Sequence, residues 1–385
     1  MCGLKISKFV CPEIIFGQGA LSQIGESAKR LGANKVFLVS DAGVVRAGWI
    51  EKATQFLEQE GLAFHVWTRV SPNPKDYEVE AGTREYEKSG CDAVLAIGGG
   101  STIDAGKAVA ILASNGGRIA DYEGIDRIQK PLPPMVVVPS TAGSGSEVSQ
   151  FSIIVDSRRK IKMTIISKSL VPDIAITDPV LLATVDRRLT ANTGMDALTH
   201  AIEAYVSVAA TPITDVHALN AIRLIAENLP ASVASQTNAA AKEAMAMASL
   251  EAGLAFSNAI LGAVHAMTHQ LGGLLDMPHG EANAILLPYV MEFNMVSSQA
   301  RYAEIALALG EPVSTLSRRQ AAMRAIQAVR DMAADIGIPR RLSEVGLEDA
   351  YIPRLSENAV RDACLITNPR DIELNDIEAI FRAAL

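Results

Sequence analysis

Aromatic residues are scarce in this chain and cysteine is scarcer: Phe, Trp and Tyr make up 5% of 385 residues, and there are four cysteines. Cys2, Cys11, Cys91 and Cys364 lie too far apart for a CxxC-type zinc knuckle and read as the reduced thiols of a cytoplasmic protein. Basic clusters are missing too. Lys and Arg number 35 against 43 Asp and Glu, a net charge of −8 with scattered charges, so nucleic acid is not an expected partner. No apolar run approaches the roughly 18 residues of a membrane helix, and no membrane partner is expected. The N-terminal MCGLKISKFVCPEIIFGQG has broken apolar stretches where a signal peptide has a continuous one. Fixed-period repeats and low-complexity linkers are also lacking.

What the chain does have is apolar residues, 49% against 20% charged, enough for burial to offset chain entropy. Single hydrophobic cores stop growing at roughly 250–300 residues, so two domains are expected. Up to about residue 180, the Val/Ile/Leu runs EIIFG (13–17), KVFLVS (35–40), AFHVW (63–67), AVLAIGG (93–99) and MVVVPS (135–140) alternate with helical periods near 19–31, 44–60, 75–89 and 102–114. Continuous rather than alternating apolar strands imply a parallel sheet covered on both faces. FSIIVD (151–156), KMTIIS (162–167) and DIAITD (173–178) flank the turn-like SRRK and read in part as a hairpin appended to that sheet. After Pro179 the strand signal stops and Ala, Leu, Met and Glu recur at helical spacing. The expectation is an α/β domain over 1–181 followed by an all-helical domain over 182–385.

VLAIGGGSTIDAGKAVAI (94–111) reads as strand, glycine turn and helix. Glycines allow a sharp turn and close approach of a ligand, and the helix N-terminus offers free N–H groups to a phosphate; an ordinary tight turn is the alternative. A second polar turn, PSTAGSGSEVS (139–149), again follows a strand, and two such loops favour a nucleotide site. Asp41, at the end of KVFLVS, either accepts hydrogen bonds from a ribose diol, favouring NAD over NADP, or caps the next helix; both roles are compatible. His65, His217, Trp49 and Trp67 have no partner visible in sequence and are expected to pack in the core or on the surface.

The other four of the six histidines fall in two stretches. In TGMDALTHAIEAYVS, Asp196 and His200 are four apart on a helical face. His265 and His269 repeat that spacing in LGAVHAMTHQLGGLLDMPHGEAN, and His279 follows in a Pro- and Gly-flanked turn. From spacing alone, satisfied core histidines and a metal site both remain open.

The ordered set GGGSTIDAGKA, PSTAGSGSEV, KMTIISKSLVPDIAITDP, TANTGMDALTHAIEAYVS and VHAMTHQLGGLLDMPHGEANAILLPYVMEFN, with CLITNPRD near the end, resembles the iron-containing (group III) alcohol dehydrogenase family over nearly the whole chain. The resemblance implies an N-terminal Rossmann-like dinucleotide-binding domain and an all-α C-terminal metal-binding domain, an architecture shared with dehydroquinate synthase. By motif position the metal ligands are Asp196, His200, His265 and His279, and His269 is a neighbouring catalytic histidine that is not a ligand. NAD is the implied cofactor. Asp41 and Asn73 meet its adenosine side, Gly98, Gly99, Gly100, Ser101 and Asp104 its pyrophosphate, and Ser140, Thr141, Ser144 and Lys162 the rest of its path. Without the resemblance, Lys162 in RRKIK reads as part of a solvated charge run. Ser140 and Ser144 stand where the family often has Thr, and Asn192 where Ala is common.

Three neutral imidazoles and one carboxylate leave a divalent cation with a net charge of about +1, able to act as a Lewis acid on an alcohol or carbonyl oxygen. His269, with a reference imidazole pKa of about 6.5, suits proton transfer near neutrality. Iron(II) is the metal the resemblance implies, and zinc is compatible because the metal need not change oxidation state. The expected activity is hydride exchange between NAD and a small primary alcohol or its aldehyde, in a homo-oligomer. Alternatives are reduction of an anionic aldehyde such as sulfoacetaldehyde, oxidation of a 1,3-propanediol-type diol, a zinc glycerol-type polyol dehydrogenase, a dehydroquinate-synthase-like lyase, and a non-catalytic metal-binding protein.

Overall fold

The strands of the first half are apolar on both sides, so they form where two layers of helices can cover them. The computed structural model describes residues 8–385; Cys2 lies outside the described residues. The strands are β1 (Glu13–Phe16), β2 (Lys35–Val39), β3 (Ala63–Trp67), β4 (Ala93–Gly98), β5 (Gly124–Ile125), β6 (Met135–Pro139), β7 (Phe151–Asp156), β8 (Ile161–Ile166) and β9 (Ile174–Thr177). Six of them make an all-parallel sheet in the order β1-β9-β6-β4-β2-β3. Its side chains divide by parity, as a period of two requires. Phe37, Val39, Val94 and Ala96 enter one core, and Val36, Leu38, Leu95 and Ile97 enter another on the opposite face.

Helices α1 (Ile24–Arg30), α2 (Ala42–Arg46), α3 (Trp49–Gln59), α4 (Asp76–Ser89) and α5 (Gly100–Asn115) connect these strands. Residues 44–60 do not form one helix: Gly48 takes φ 80°, which ends one helix and starts the next in a new direction. The hairpin expectation also needs correction. β7 and β8 pair antiparallel, but they join β5 in a separate three-stranded sheet, whereas β9 returns to the large sheet between β1 and β6.

From α6 (Arg187–Val206) onward the described chain is helical: α7 (Pro212–Ala234), α8 (Ala239–Ala259), α9 (Ala263–Leu275), α10 (His279–Ala308), α11 (Arg318–Asp335), α12 (Ile352–Ala359) and α13 (Leu374–Ala384). Met195, Ile225, Ala252, Val264 and Leu286, one from each of α6 to α10, share a single core. Between α8 and α9, Ile260 is held at φ 62°, a strained backbone for a β-branched residue. That break sets where α9 begins, and so the direction in which its histidines project. Among the described residues no single helix is long and apolar enough to cross a membrane, and Cys11, Cys91 and Cys364 are free thiols.

Candidate active site and metal centre

A cleft of about 840 Å³ runs from the carboxyl edge of the parallel sheet to the helical region, bordered by the loops after β2, β3, β4 and β6. Carboxyl edges are where parallel α/β sheets receive ligands. Of the residues read from sequence as a site, Asp41, Asn73, Gly99, Gly100, Ser101, Asp104, Ser140, Thr141, Ser144, Lys162, Asp196, His200, His265, His269 and His279 all line this one cleft. Gly98 does not. It ends β4, and a Cβ there would sit 2.5 Å from the side chain of Thr102, so it shapes the turn without facing the cleft.

At the sheet end, α5 starts at the glycine turn with no side-chain cap, which leaves its first N–H groups for a bound anion. Ser101 Oγ accepts from the Asn73 backbone N–H at 3.3 Å, tying the two loops together. Asp41 caps α2, accepting from the N–H groups of Gly43 at 2.7 Å and Val44 at 3.1 Å, and its second oxygen takes the Thr102 hydroxyl at 2.9 Å. Asp104 is more internal than expected: it accepts from Ser146 Oγ at 2.9 Å and from the Ile153 N–H at 3.1 Å. These two bonds hold the 144–153 segment against α5, and burial raises the Asp104 pKa. Lys162 belongs to no solvated run; its side chain is buried and turned into the cleft, and burial lowers its pKa to about 8, against the pull of Asp196 and Asp104. Asn192 also lines the cleft. So does Trp49, whose Nε1 donates to Thr184 Oγ1 at 3.0 Å. Trp67 is in the core, His65 stacks on Phe37, and His217 stacks on Phe9.

At the helical end, one ligand atom from each of Asp196, His200, His265 and His279 lies within 4.8 Å of all the others. Helix periodicity puts Asp196 and His200 on one face of α6, while α9 supplies His265 and the first residue of α10 is His279. Two rings are oriented from behind. His200 Nδ1 donates to the Gly143 carbonyl at 3.1 Å, and His265 Nδ1 donates to Glu203 at 2.6 Å, which turns both Nε2 lone pairs inward. Glu203 also accepts from the N–H groups of Gly262 and Val264 at the start of α9, and burial lifts its pKa to about 7. Burial holds His265 and His279 well below the ordinary imidazole value, so both are neutral and can donate lone pairs.

The donor set fits a cation. Asn283 Nδ2 stands 2.7 Å from Asp196 Oδ1, 3.1 Å from His265 Nε2 and 3.3 Å from His279 Nε2, one amide facing three acceptors. Its own Oδ1 and His279 Nδ1 are buried without a partner. Three imidazoles and a carboxylate converging in this way suit a divalent metal that takes mixed N/O ligands.

His269, one turn beyond His265, instead donates from Nδ1 to Asp362 at 2.9 Å. The Phe256 ring stacks on His200 at 4.4 Å and, with Phe151, Leu261 and Cys364, gives this end of the cleft an apolar wall. Sequence reasoning missed Glu203, Asn283 and Asp362. Glu203 had a signal, lying three residues after His200 on the same helix, whereas Asp362 had only its nearness to CLITNPRD.

The iron-containing alcohol dehydrogenase model matches residues 11–179, and the C-terminal model of the Fe-containing alcohol dehydrogenase family matches 190–385. The chain is 44% identical over 383 residues to a 1,3-propanediol dehydrogenase of Klebsiella pneumoniae, covering 99% of each. It is 42% identical over 377 residues to an NAD-dependent methanol dehydrogenase of Bacillus methanolicus, covering 98% of this chain and 99% of that one. The crystal structure of a 1,3-propanediol oxidoreductase superposes with a TM-score of 0.96 at 43% identity, covering 99% of this chain and 100% of the other. With both halves of the chain matched and full-length relatives at this level of identity, the protein belongs to the iron-containing alcohol dehydrogenase family.

Proposed function

We propose that the protein is an NAD-dependent, metal-dependent alcohol dehydrogenase that interconverts a small primary alcohol and its aldehyde. The observation that carries this reading is the convergence of Asp196, His200, His265 and His279 in the same cleft as the glycine turn at the start of α5. These four residues would hold the metal. Iron is the identity the family favours, and zinc suits the same donors. When bound, the metal supplies Lewis acidity to the substrate oxygen and NAD exchanges the hydride.

The protein's own residues do the rest. The first turn of α5 and the hydroxyls of Ser140, Thr141 and Ser144 bind the dinucleotide, with Asp41 toward its ribose and Lys162 along the rest of its path, near Asp196. Phe151, Phe256 and Leu261 exclude water from the reacting carbon, and His269 carries the proton. Relatives named for 1,3-propanediol and methanol favour a short alcohol or diol as substrate. A cytoplasmic homo-oligomer accompanies this reading.

The test is NADH formation from a panel of short primary alcohols and diols, using anaerobically purified enzyme with metal analysis of the same sample. Chelation should abolish turnover and added Fe(II) or Zn(II) restore it, and His279→Ala should lose metal and activity together. Full turnover by metal-free protein overturns the mechanism, and net turnover without NADH replaces it with a lyase.

A further inference from the structure

Asp362 follows α12 in the chain, far from every residue that lines the dinucleotide path, yet its carboxylate reaches the cleft's one histidine outside the four-donor cluster. His269 Nδ1 donates to Asp362 Oδ2 at 2.9 Å, and both side chains are almost fully buried, at 3% and 5% exposed. The other oxygen, Oδ1, accepts from the Cys364 N–H at 2.9 Å, so the carboxylate is anchored at both ends. Burial works to raise the Asp362 pKa, but His269 and the Cys364 N–H outweigh it and hold the carboxyl below its usual range. Both Asp362 oxygens are already engaged, one by the His269 ring and one by the Cys364 N–H, so His269, Asp362 and Cys364 read as a hydrogen-bonded chain.

We infer that Asp362 is the positioning residue for His269: by holding the proton on Nδ1 it fixes the tautomer and aims the Nε2 lone pair at the substrate in the cleft. The inference rests on the proposed role of His269 as proton carrier. During alcohol oxidation the substrate O–H bond breaks and an Nε2–H bond forms. A bound NAD would take the hydride, leaving the aldehyde, and the Nε2 proton then leaves to cleft water. Nδ1 keeps its proton throughout, and the Asp362 carboxylate faces the transient imidazolium. An asparagine in its place that keeps its oxygen on the Cys364 N–H turns its NH2 toward Nδ1, so it favours the opposite tautomer and does not balance that charge.

A competing role is available, because Asp362 also caps the short helical segment Ala363–Thr367. Asp362→Asn separates the two, since an asparagine oxygen still caps. Asp362→Asn, His269→Ala and the double variant should be compared for metal content, kcat, KM and the solvent deuterium isotope effect on kcat, using the fastest alcohol of the panel. Expected are unchanged metal and KM for Asp362→Asn, kcat lower by at least about tenfold, and a larger solvent isotope effect; a tenfold change corresponds to about 1.4 kcal/mol. The double variant should be no slower than His269→Ala, because Asp362 acts through that ring. Wild-type kcat in Asp362→Asn, or independent multiplying effects in the double variant, overturns the inference while leaving His269 in its role. Wild-type kcat in His269→Ala removes the relay itself. Loss of metal or of circular dichroism signal in Asp362→Asn assigns the residue to architecture and equally overturns the inference.

Discussion

Asp41 illustrates how one side chain can hold a helix and border the cleft at once. Its oxygens take two N–H groups at the start of α2 and the Thr102 hydroxyl, while its outer edge borders the cleft. The capping role depends on an acceptor and the cofactor role on a charge, so substitution can part them. Asp41→Asn keeps an N-cap acceptor and removes the negative charge that repels a 2′-phosphate. The thermal midpoint should stay close to wild type, and the kcat/KM ratio of NADP to NAD should rise about tenfold or more, equivalent to about 1.4 kcal/mol. Steady-state kinetics with both cofactors read this directly. An unchanged ratio confines Asp41 to capping.

Residues differ in how legibly the sequence announces them. Asp196, His200, His265 and His279 were legible only in part: helical spacing and flanking Pro and Gly marked them as candidates, but spacing alone left core histidines open, and the ligand set came from the resemblance. Lys162 was ambiguous from RRKIK alone, since only the packing of α9 against β8 decides whether it points to solvent or to the cleft. Asp362 was silent: a lone carboxylate in a loop has no periodicity, and its partner His269 is 93 residues away.

The α9–β8 contact is where element packing governs the site. Gly272 and Gly273 lie inside α9, where glycine costs helix stability of about 1 kcal/mol relative to alanine and so marks a packing need. A Cβ on Gly273 would come within 2.6 Å of Ile161 Cα and 2.9 Å of the Lys160 carbonyl oxygen. Both are backbone atoms of the hairpin and cannot swing away. The close approach lets β8 press on α9 and sends Lys162 into the cleft beside Asp196. Gly273→Ala should therefore move the hairpin, destabilise the fold by about 1–3 kcal/mol, and raise the KM for NAD by withdrawing Lys162. Thermal melting and NAD titration test it. A variant with wild-type KM despite a lower melting point separates the hairpin's packing from cofactor binding.

Elements as a class were more legible than their junctions. The parallel strands could be read because Val, Ile and Leu fill both faces, a pattern that only a covered sheet tolerates. The break between α2 and α3 was missed because a single glycine at positive φ overrides a helical period. The separate sheet of β5, β7 and β8 was missed because β5 is only two residues long and pairs with a strand about 40 positions later.

At the scale of the molecule, ligand chemistry is divided between two regions. Asp196, His200, His265 and His279 all come from α6, α9 and α10, whereas most of the residues facing the proposed dinucleotide path come from the sheet region. Polar contacts join the two: His200 Nδ1 donates to the Gly143 carbonyl at 3.1 Å, and Asn73 Nδ2 donates to Asp276 Oδ1 at 2.8 Å, with Lys75 Nζ 3.5 Å from the same oxygen. A ligand that binds only the folded state stabilises it by RT ln(1 + [L]/Kd), about 2.7 kcal/mol at one hundred times Kd, and does so through the elements it touches. A metal held by these four residues would crosslink three helices of the helical core, so its removal should lower the stability of that core first. Scanning calorimetry of metal-loaded and chelated protein should show a drop of at least ~5 °C in the transition of the helical region, given ~2–4 °C per kcal/mol for regions of 150–250 residues. NAD added to chelated protein should raise the transition of the sheet region and leave the helical one low. Asp196→Ala, lacking one donor, should melt like chelated protein and gain little from added metal. If chelation shifts neither transition, or Asp196→Ala responds to metal as fully as wild type, the four donors do not hold a metal in this protein.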